Sequence, residues 1–579
     1  MIRNAIKYGA MVGLVASLGA CEKGYLEVEN PNSPDTKRVL ATPADAEALL
    51  GGYYKRFHAG IYSNLGNVHG MANMLSFQTY SSLANNCMNA RTQFTGISNT
   101  NDPGNVCAGE QQAVYFVEGE VNRVGSSILK QLDDPTFTLG STAQNARARA
   151  FAEFLRGVSL GYIALLYDSS AIVSAGMSAE DPGVLSNYTV VMDSALAALQ
   201  RSINAANDAT VTGLNGFPLP ATWIPSPTSW TSANFVRLVR SYRARLMVQV
   251  ARTAAERAAP CVATGTVGYT GCAALNWGFI IADAQNGITA DHLVTTSTVS
   301  GPFYTWAAQN DTYGLWHQMP AFIIGMADGS GANYDAWVKT PIQARAAPFF
   351  MVTPDRRFPQ GADRAAQIAD FQISSCQAAA QVCKRYFVNR NGNDQSVGAG
   401  WGFSNYDWVR FHSWRVAGST GTGQNGDLPF FTKAEINLIE AEGQFRLSNF
   451  AAAATLVNVT RAVAGLAAMA ADNTTPATDC VPRVPFGAGS TATLSCGTLW
   501  EALKYEKRIE TAYTNFATWF LEGRGWGDLP NGTPLYWVTP YQDLQARKVP
   551  TSKLYGAGPS SNPSNAAGSA TTVVGTYGY

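Results

Sequence analysis

Side chains able to grip an uncharged ligand crowd into one short stretch. Tyr304, Trp306, Tyr313 and Trp316 fall close together with Asn310 and Asp311 between them, and Trp337 follows near Asn333. Sugar rings present apolar C–H faces that stack on tryptophan and tyrosine, while amides and carboxylates satisfy the hydroxyls, so this combination suits carbohydrate binding without catalysis. The same rings could instead fill a local core. Tyr80 and Asn101, in the Asn-, Ser- and Thr-rich loop 76–107, complete the candidate binding set.

Other motifs carry less. Gly157-Val158-Ser159-Leu160-Gly161 spells a nucleophile elbow, but an elbow is a sharp strand-to-helix turn, and a helical apolar phase from Phe151 to Leu165 runs straight through it. Gly421, Gly423 and Gly426 match a dinucleotide fingerprint with no strand before it. His58, His69, His292, His317 and His412 are scattered, which argues against a metal hydrolase. Glu440 and Glu442 sit in a helical run where salt bridges within the scaffold are the expected use. Asn389, Asn391, Asn393 and Asp394 are oxygen-rich enough for Ca²⁺, but the run is equally a turn composition. No cofactor is expected.

The elements that must carry these residues are mostly helical. Apolar positions recur at helical spacing over 45–57, 111–132, 142–167, 188–206, 232–255, 432–447 and 450–464, and the helices fall into pairs. Within the stretch 498–529 one helix of about six turns is expected, its apolar stripe running from Leu499 to Phe520 with Glu506 on it, and the glycines of Glu522–Leu529 are expected to stop it. A buried carboxylate there needs a cation, and Lys507, Arg508 or arginines of other helices are the candidates. Between 260 and 424 the helical period fades, aromatics and glycines rise, and short strands such as 385–389 are expected. The fold class is therefore mainly α, tetratricopeptide-like helix pairs with a large irregular lobe. The division is 1–20 signal peptide, 21–44 lipidated leader, 45–258 helical scaffold, 259–428 aromatic lobe, and 429–579 helical scaffold and tail.

The first 21 residues pair a short basic region, Arg3 and Lys7, with an apolar run that ends at Leu18-Gly19-Ala20-Cys21. The run is too short to span a bilayer, and a cysteine at such a site resembles a bacterial lipobox, making Cys21 the expected lipidation site and the membrane an anchor. The other eight cysteines form four sequence-local couples in loop-like surroundings. In an oxidising compartment these suggest disulfides Cys87–Cys107, Cys261–Cys272, Cys376–Cys383 and Cys480–Cys496, although connectivity is not fixed by sequence. The 41 basic residues equal the 41 acidic ones, so nothing marks a nucleic-acid partner.

Several segments together resemble the SusD/RagB family of surface lipoproteins. They are the lipobox, the leader LEVENPNSP, the helix ARARAFAEFLRGVSLGYIALLYD, ANFVRLVRSYRARLMVQVAR, LPFFTKAEINLIEAEGQFRLSNFAAAATLVNVTRAVAGL and YEKRIETAYTNFATWFLEGRGWGDL. The family's usual Phe-Glu-Gly-His is replaced here by Tyr513-Thr514-Asn515-Phe516, and the ligand loops show no match. The resemblance implies a lipid-anchored protein at the cell outer membrane, docked on a SusC-like TonB-dependent transporter. A hinged lid would capture oligosaccharides or peptides, with no reaction. A secreted glycan hydrolase and an adhesive or structural surface protein are the competing expectations.

Overall fold

The computed structural model describes residues 42–62, 68–76, 78–79, 101–104, 108–174, 176–177, 181–208, 216–258, 276–297, 319, 321–329, 331–340, 344, 349–370, 385–389, 405–410, 426–484, 495–512, 514, 517–529 and 533–550. In chain order the elements are α1 Pro43–Tyr62, α2 Val68–Leu75, α3 Ala113–Leu132, α4 Thr142–Leu166, β1 Ser169–Ala171, β2 Leu185–Asn187, α5 Tyr188–Ala206, α6 Ser232–Gln249, α7 Ala254–Ala258, α8 Trp277–Gln285 and β3 His292–Thr296. They continue with α9 Ala321–Ala327, α10 Ala332–Lys339, α11 Arg364–Asp370, β4 Phe387–Asn389, β5 Tyr406–Trp408, β6 Gly426–Phe431, α12 Lys433–Arg446 and α13 Phe450–Ala464. The last are β7 Arg483–Val484, β8 Ser495–Cys496, α14 Leu499–Thr511, α15 Thr518–Trp526 and α16 Tyr541–Ala546. Among the described residues the strands form two-stranded antiparallel pairs, β1 with β2, β3 with β6, β4 with β5 and β7 with β8.

Helix α4 is the axis of the scaffold. From Gly157 to Leu166 its sequence is apolar or small all round and every residue is buried, as in a helix segment enclosed on every side, and it packs between α3 and α5. Ser141 caps it by accepting a hydrogen bond from the Gln144 backbone N–H. Two glycines let the neighbours come close: a Cβ on Gly157 would collide with Leu199 of α5, and one on Gly161 with Leu246 of α6. The G-x-S-x-G match is thus a packing device. Ser159 is buried mid-helix with its hydroxyl bonded back to the Arg156 carbonyl at 3.2 Å, leaving no nucleophile geometry.

The single helix expected from Leu499 to Phe520 is two helices, and the second runs through the glycines at 523 and 525 expected to stop it. The first ends at Thr511, where Thr511 Oγ1 bonds the Lys507 carbonyl at 2.6 Å and Thr514 Oγ1 bonds the Thr511 carbonyl at 3.2 Å. Such local side-chain bonds compete with the helical ladder. Ala517 then sits in the left-handed region at φ 52° and launches α15, and the Trp519 indole donates to the Arg508 carbonyl at 2.8 Å, satisfying one acceptor that the broken helix leaves open. The helix expected over 232–255 likewise divides into α6 and α7. Within the stretch expected to be loop-rich, α8 packs on α6 and α12, and β3 pairs with β6 from His292 opposite Phe431 to Thr296 opposite Gly426, with a register shift between His292 and Leu293.

Of the four expected disulfides, Cys480–Cys496 is formed, bracketing the small β7–β8 hairpin. Cys21 and the other three couples lie outside the described residues. Among the described residues no helix is long and apolar enough to cross a membrane.

Candidate functional site

The candidate site is the lobe around α9, α10 and α11. Gly325 of α9 carries no side chain because the Tyr334 ring lies where a Cβ would go. This lets α10 rest on α9 with Tyr334 buried. Tyr334 meets Phe349 edge-on at 5.1 Å, and Trp337, one turn further along α10, lies 5.9 Å from Tyr334 and 5.8 Å from Phe349. Trp337 is half-buried, packed against the main core on one side. Beside it Asn333 is exposed, and Lys339 is held by Asp335 at 2.7 Å. This edge offers a partly exposed indole next to an amide, the pairing that stacks on and hydrogen-bonds to a sugar.

A network of amides and a phenol stiffens the frame behind it. Tyr406 donates to Gln367 Oε1 at 2.6 Å, Asn389 donates to the same oxygen at 3.0 Å, and Gln367 Nε2 donates to the Met351 carbonyl at 2.7 Å. The Met351 N–H closes the ring by donating to Tyr406 Oη at 3.1 Å. Burial, first of all, pushes the Tyr406 phenol up to about 12, so it stays a donor at neutral pH. Met319 joins this frame through its N–H to the Tyr406 carbonyl at 3.4 Å. Asn389, first in the oxygen-rich run considered for Ca²⁺, is buried and spends its amide here, accepting also from Arg364 Nε at 3.4 Å. The rest of that run lies outside the described residues, and among the described residues no group of three metal-ligating side chains comes together.

The sequence-predicted binding residues divide sharply. Tyr304, Trp306, Asn310, Asp311, Tyr313, Trp316 and Tyr80 lie outside the described residues. Trp337 stands on the lobe edge. Asn101 does something else: it is buried, donates to the Thr539 carbonyl at 2.9 Å and accepts from the Tyr541 N–H at 3.0 Å. Both ends of its amide are used to clasp the start of α16, so it fastens that helix to an early loop.

The lobe is riveted to the scaffold by charges that sequence reasoning missed. Arg357 Nη1 donates to Glu506 Oε2 at 2.7 Å and Nη2 to Oε1 at 3.0 Å, a bidentate pair, while its other edge meets Asp355 at 2.8 Å and Nη1 also reaches Glu510 at 3.1 Å. Tyr505 donates to Asp355 at 2.7 Å. The nearest partner of Glu506 is therefore an arginine of the lobe, with Arg461 of α13, one of the helix arginines expected, at 3.9 Å. Lys507 instead faces Glu522 at 2.9 Å, and Arg508 bonds Asp528 at 2.7 Å. An Asp and an Arg two residues apart in a loop give no periodic signal, which is why Asp355 and Arg357 could not be singled out. Burial raises the Glu506 carboxyl, and Arg357 only partly offsets it.

In sequence, the chain matches no family model and no curated protein. In structure it is similar to two SusD superfamily proteins, one from Bacteroides thetaiotaomicron and one from Bacteroides vulgatus. Each is 13% identical with a TM-score of 0.51, and the match covers 87% of this chain and 96% and 97% of theirs. The chain has the SusD fold. In that fold α3 with α4 and α5 with α6 are the helix pairs read from the sequence, and the residues around α9–α11 form the irregular lobe laid against α14.

Proposed function

We propose that this protein is a lipid-anchored binding protein of the outer membrane that captures oligosaccharides, or peptides, and passes them to a TonB-dependent transporter. The carrying observation is the SusD fold over nearly the whole chain, with the lobe presenting Trp337 and Asn333 along one edge. On this reading function is differential affinity: the lobe binds, the transporter takes over, and no bond in the ligand is broken. The lobe seam at Arg357 restricts movement to the parts of the lobe not fastened by it.

Substitution of Trp337 by alanine removes one stacking face, and about a tenfold loss of oligosaccharide affinity is expected in calorimetry, from ~1–1.5 kcal/mol for an aromatic contact. Unchanged affinity in Trp337→Ala, Trp306→Ala and Trp316→Ala alike would remove the lobe edge as the site.

A further inference from the structure

Glu118 is the one buried acidic side chain among the described residues whose two carboxyl oxygens both lack a hydrogen-bond partner. It lies on α3 against the last turn of α1, where its Oε1 occupies the space a Cβ on Gly60 would need, with Val117 beside it. Gly60 is thus the gap that admits the carboxyl. The surroundings disfavour an anion there. The C-terminal end of a helix is the negative end of its dipole, and the last turn of α1 carries no basic side chain.

The charged and titratable groups around it do not compensate. From α1 comes Arg56, but its guanidinium is half-exposed and paired with Glu120 of α3 at 2.8 Å. Glu120 itself adds a like charge. From the end of α4 comes the Tyr167 phenol, which burial keeps protonated, and the turn Ala108–Gln111 contributes no described ionisable side chain. A carboxylate with no donor in a closed apolar junction costs several kcal/mol, whereas a carboxylic acid costs far less. Burial, with Arg56 opposing and Glu120 adding, holds Glu118 well above the ordinary value of 4.5.

We propose that the junction between the end of α1 and α3 is a proton-dependent latch: Glu118 closes it as a neutral carboxylic acid, and loss of the proton releases the last turn of α1. The folded chain holds this proton more tightly than the unfolded chain. The stability it confers is therefore full below about 4.5 and is lost as pH rises towards the folded value, the folding equilibrium falling about tenfold per pH unit in that window.

The test is the full chain against Glu118→Gln, with denaturant unfolding between pH 5 and 9 and hydrogen exchange of the amides of residues 59–62. The glutamine variant should be the more stable protein at pH 8. The ratio of the variant's folding equilibrium constant to the wild type's should grow about tenfold per pH unit across the window, as linkage of one proton requires, and extra exchange at 59–62 on going to pH 9 should appear in the wild type alone. Glu118→Met, which has no polar atoms to satisfy, should give the same flattened profile. The latch is overturned if both neutral variants fail to fold, if they are less stable than the wild type at pH 8, or if their pH profiles and exchange match it.

Discussion

Two buried charge networks meet on α14, and their difference shows what sets the state of a buried carboxylate. Inside the scaffold, Arg257 bonds both Glu442 and Glu522, Lys507 faces Glu522 at 2.9 Å and Glu442 at 3.7 Å, and Arg446 reaches Glu442 at 3.3 Å. At the lobe seam, Arg357 serves Asp355, Glu506 and Glu510, with Arg461 3.9 Å from Glu506 and itself shared with Asp479. Burial pulls both glutamates up. At Glu442 the charge and hydrogen bonds of Arg257, then Lys507 and Arg446, outweigh burial and hold the carboxyl below the usual range; at Glu506 they do not, and it is raised. Cation supply therefore decides the outcome.

The sharpest way to break this comparison is to remove one arginine from each network. Arg357→Met strips Glu506 of its bidentate partner and leaves Asp355 beside it, so a loss of about 3–5 kcal/mol in unfolding free energy is expected. Arg257→Met leaves Lys507 and Arg446 in place, and a smaller loss of roughly 2 kcal/mol is expected from the charged hydrogen bonds alone. Urea unfolding of the two variants measures both, and equal losses would mean that the remaining scaffold cations do not compensate.

Acid tests the same contrast from the other side. His58 and His292 are buried in the scaffold and lowered to about 3, by burial in both and by Arg245 as well at His292. The unfolded chain takes up their protons first. The stability they confer is present above about 6.5 and is lost as pH falls towards 3, at about 1.4 kcal/mol per pH unit for each histidine. Glu442 adds loss of the same sign below its unfolded value, whereas the raised Glu506 has the opposite sign. Hydrogen exchange at falling pH should therefore show α1, which carries His58, and the β3–β6 pair, which carries His292, loosening before the seam at 355–357; the reverse order would contradict the assignment.

What the sequence made legible was the part governed by period and by small residues. The span 188–206 and the span 450–464 coincide with α5 and α13, and 142–167 with α4 to within a residue. A long apolar phase needs no tertiary information to declare itself. The break between α14 and α15 was hidden, because Ala512 and Ala517 favour helix by propensity, and only the threonine back-bonds and the indole on the Arg508 carbonyl reveal the stop. The Arg357–Glu506 pair was hidden because it joins positions 149 residues apart. Glu118 was hidden too, lying on a helical face between Val114 and Val121, where nothing local distinguishes a carboxyl that packs inward from one that points out. Of the candidate site, the ring-rich composition could be read, but the use of Asn101 as a clasp depends on two backbone groups at 539 and 541.

The most direct measurement is calorimetry of the full chain against a panel of oligosaccharides and peptides, followed by assay of the same samples for new reducing ends or cleaved peptide. The account predicts saturable binding of at least one ligand class, weakened by Trp337→Ala, with the ligand recovered intact. Turnover of a bound oligosaccharide, or no binding across the panel by a folded chain, would contradict it.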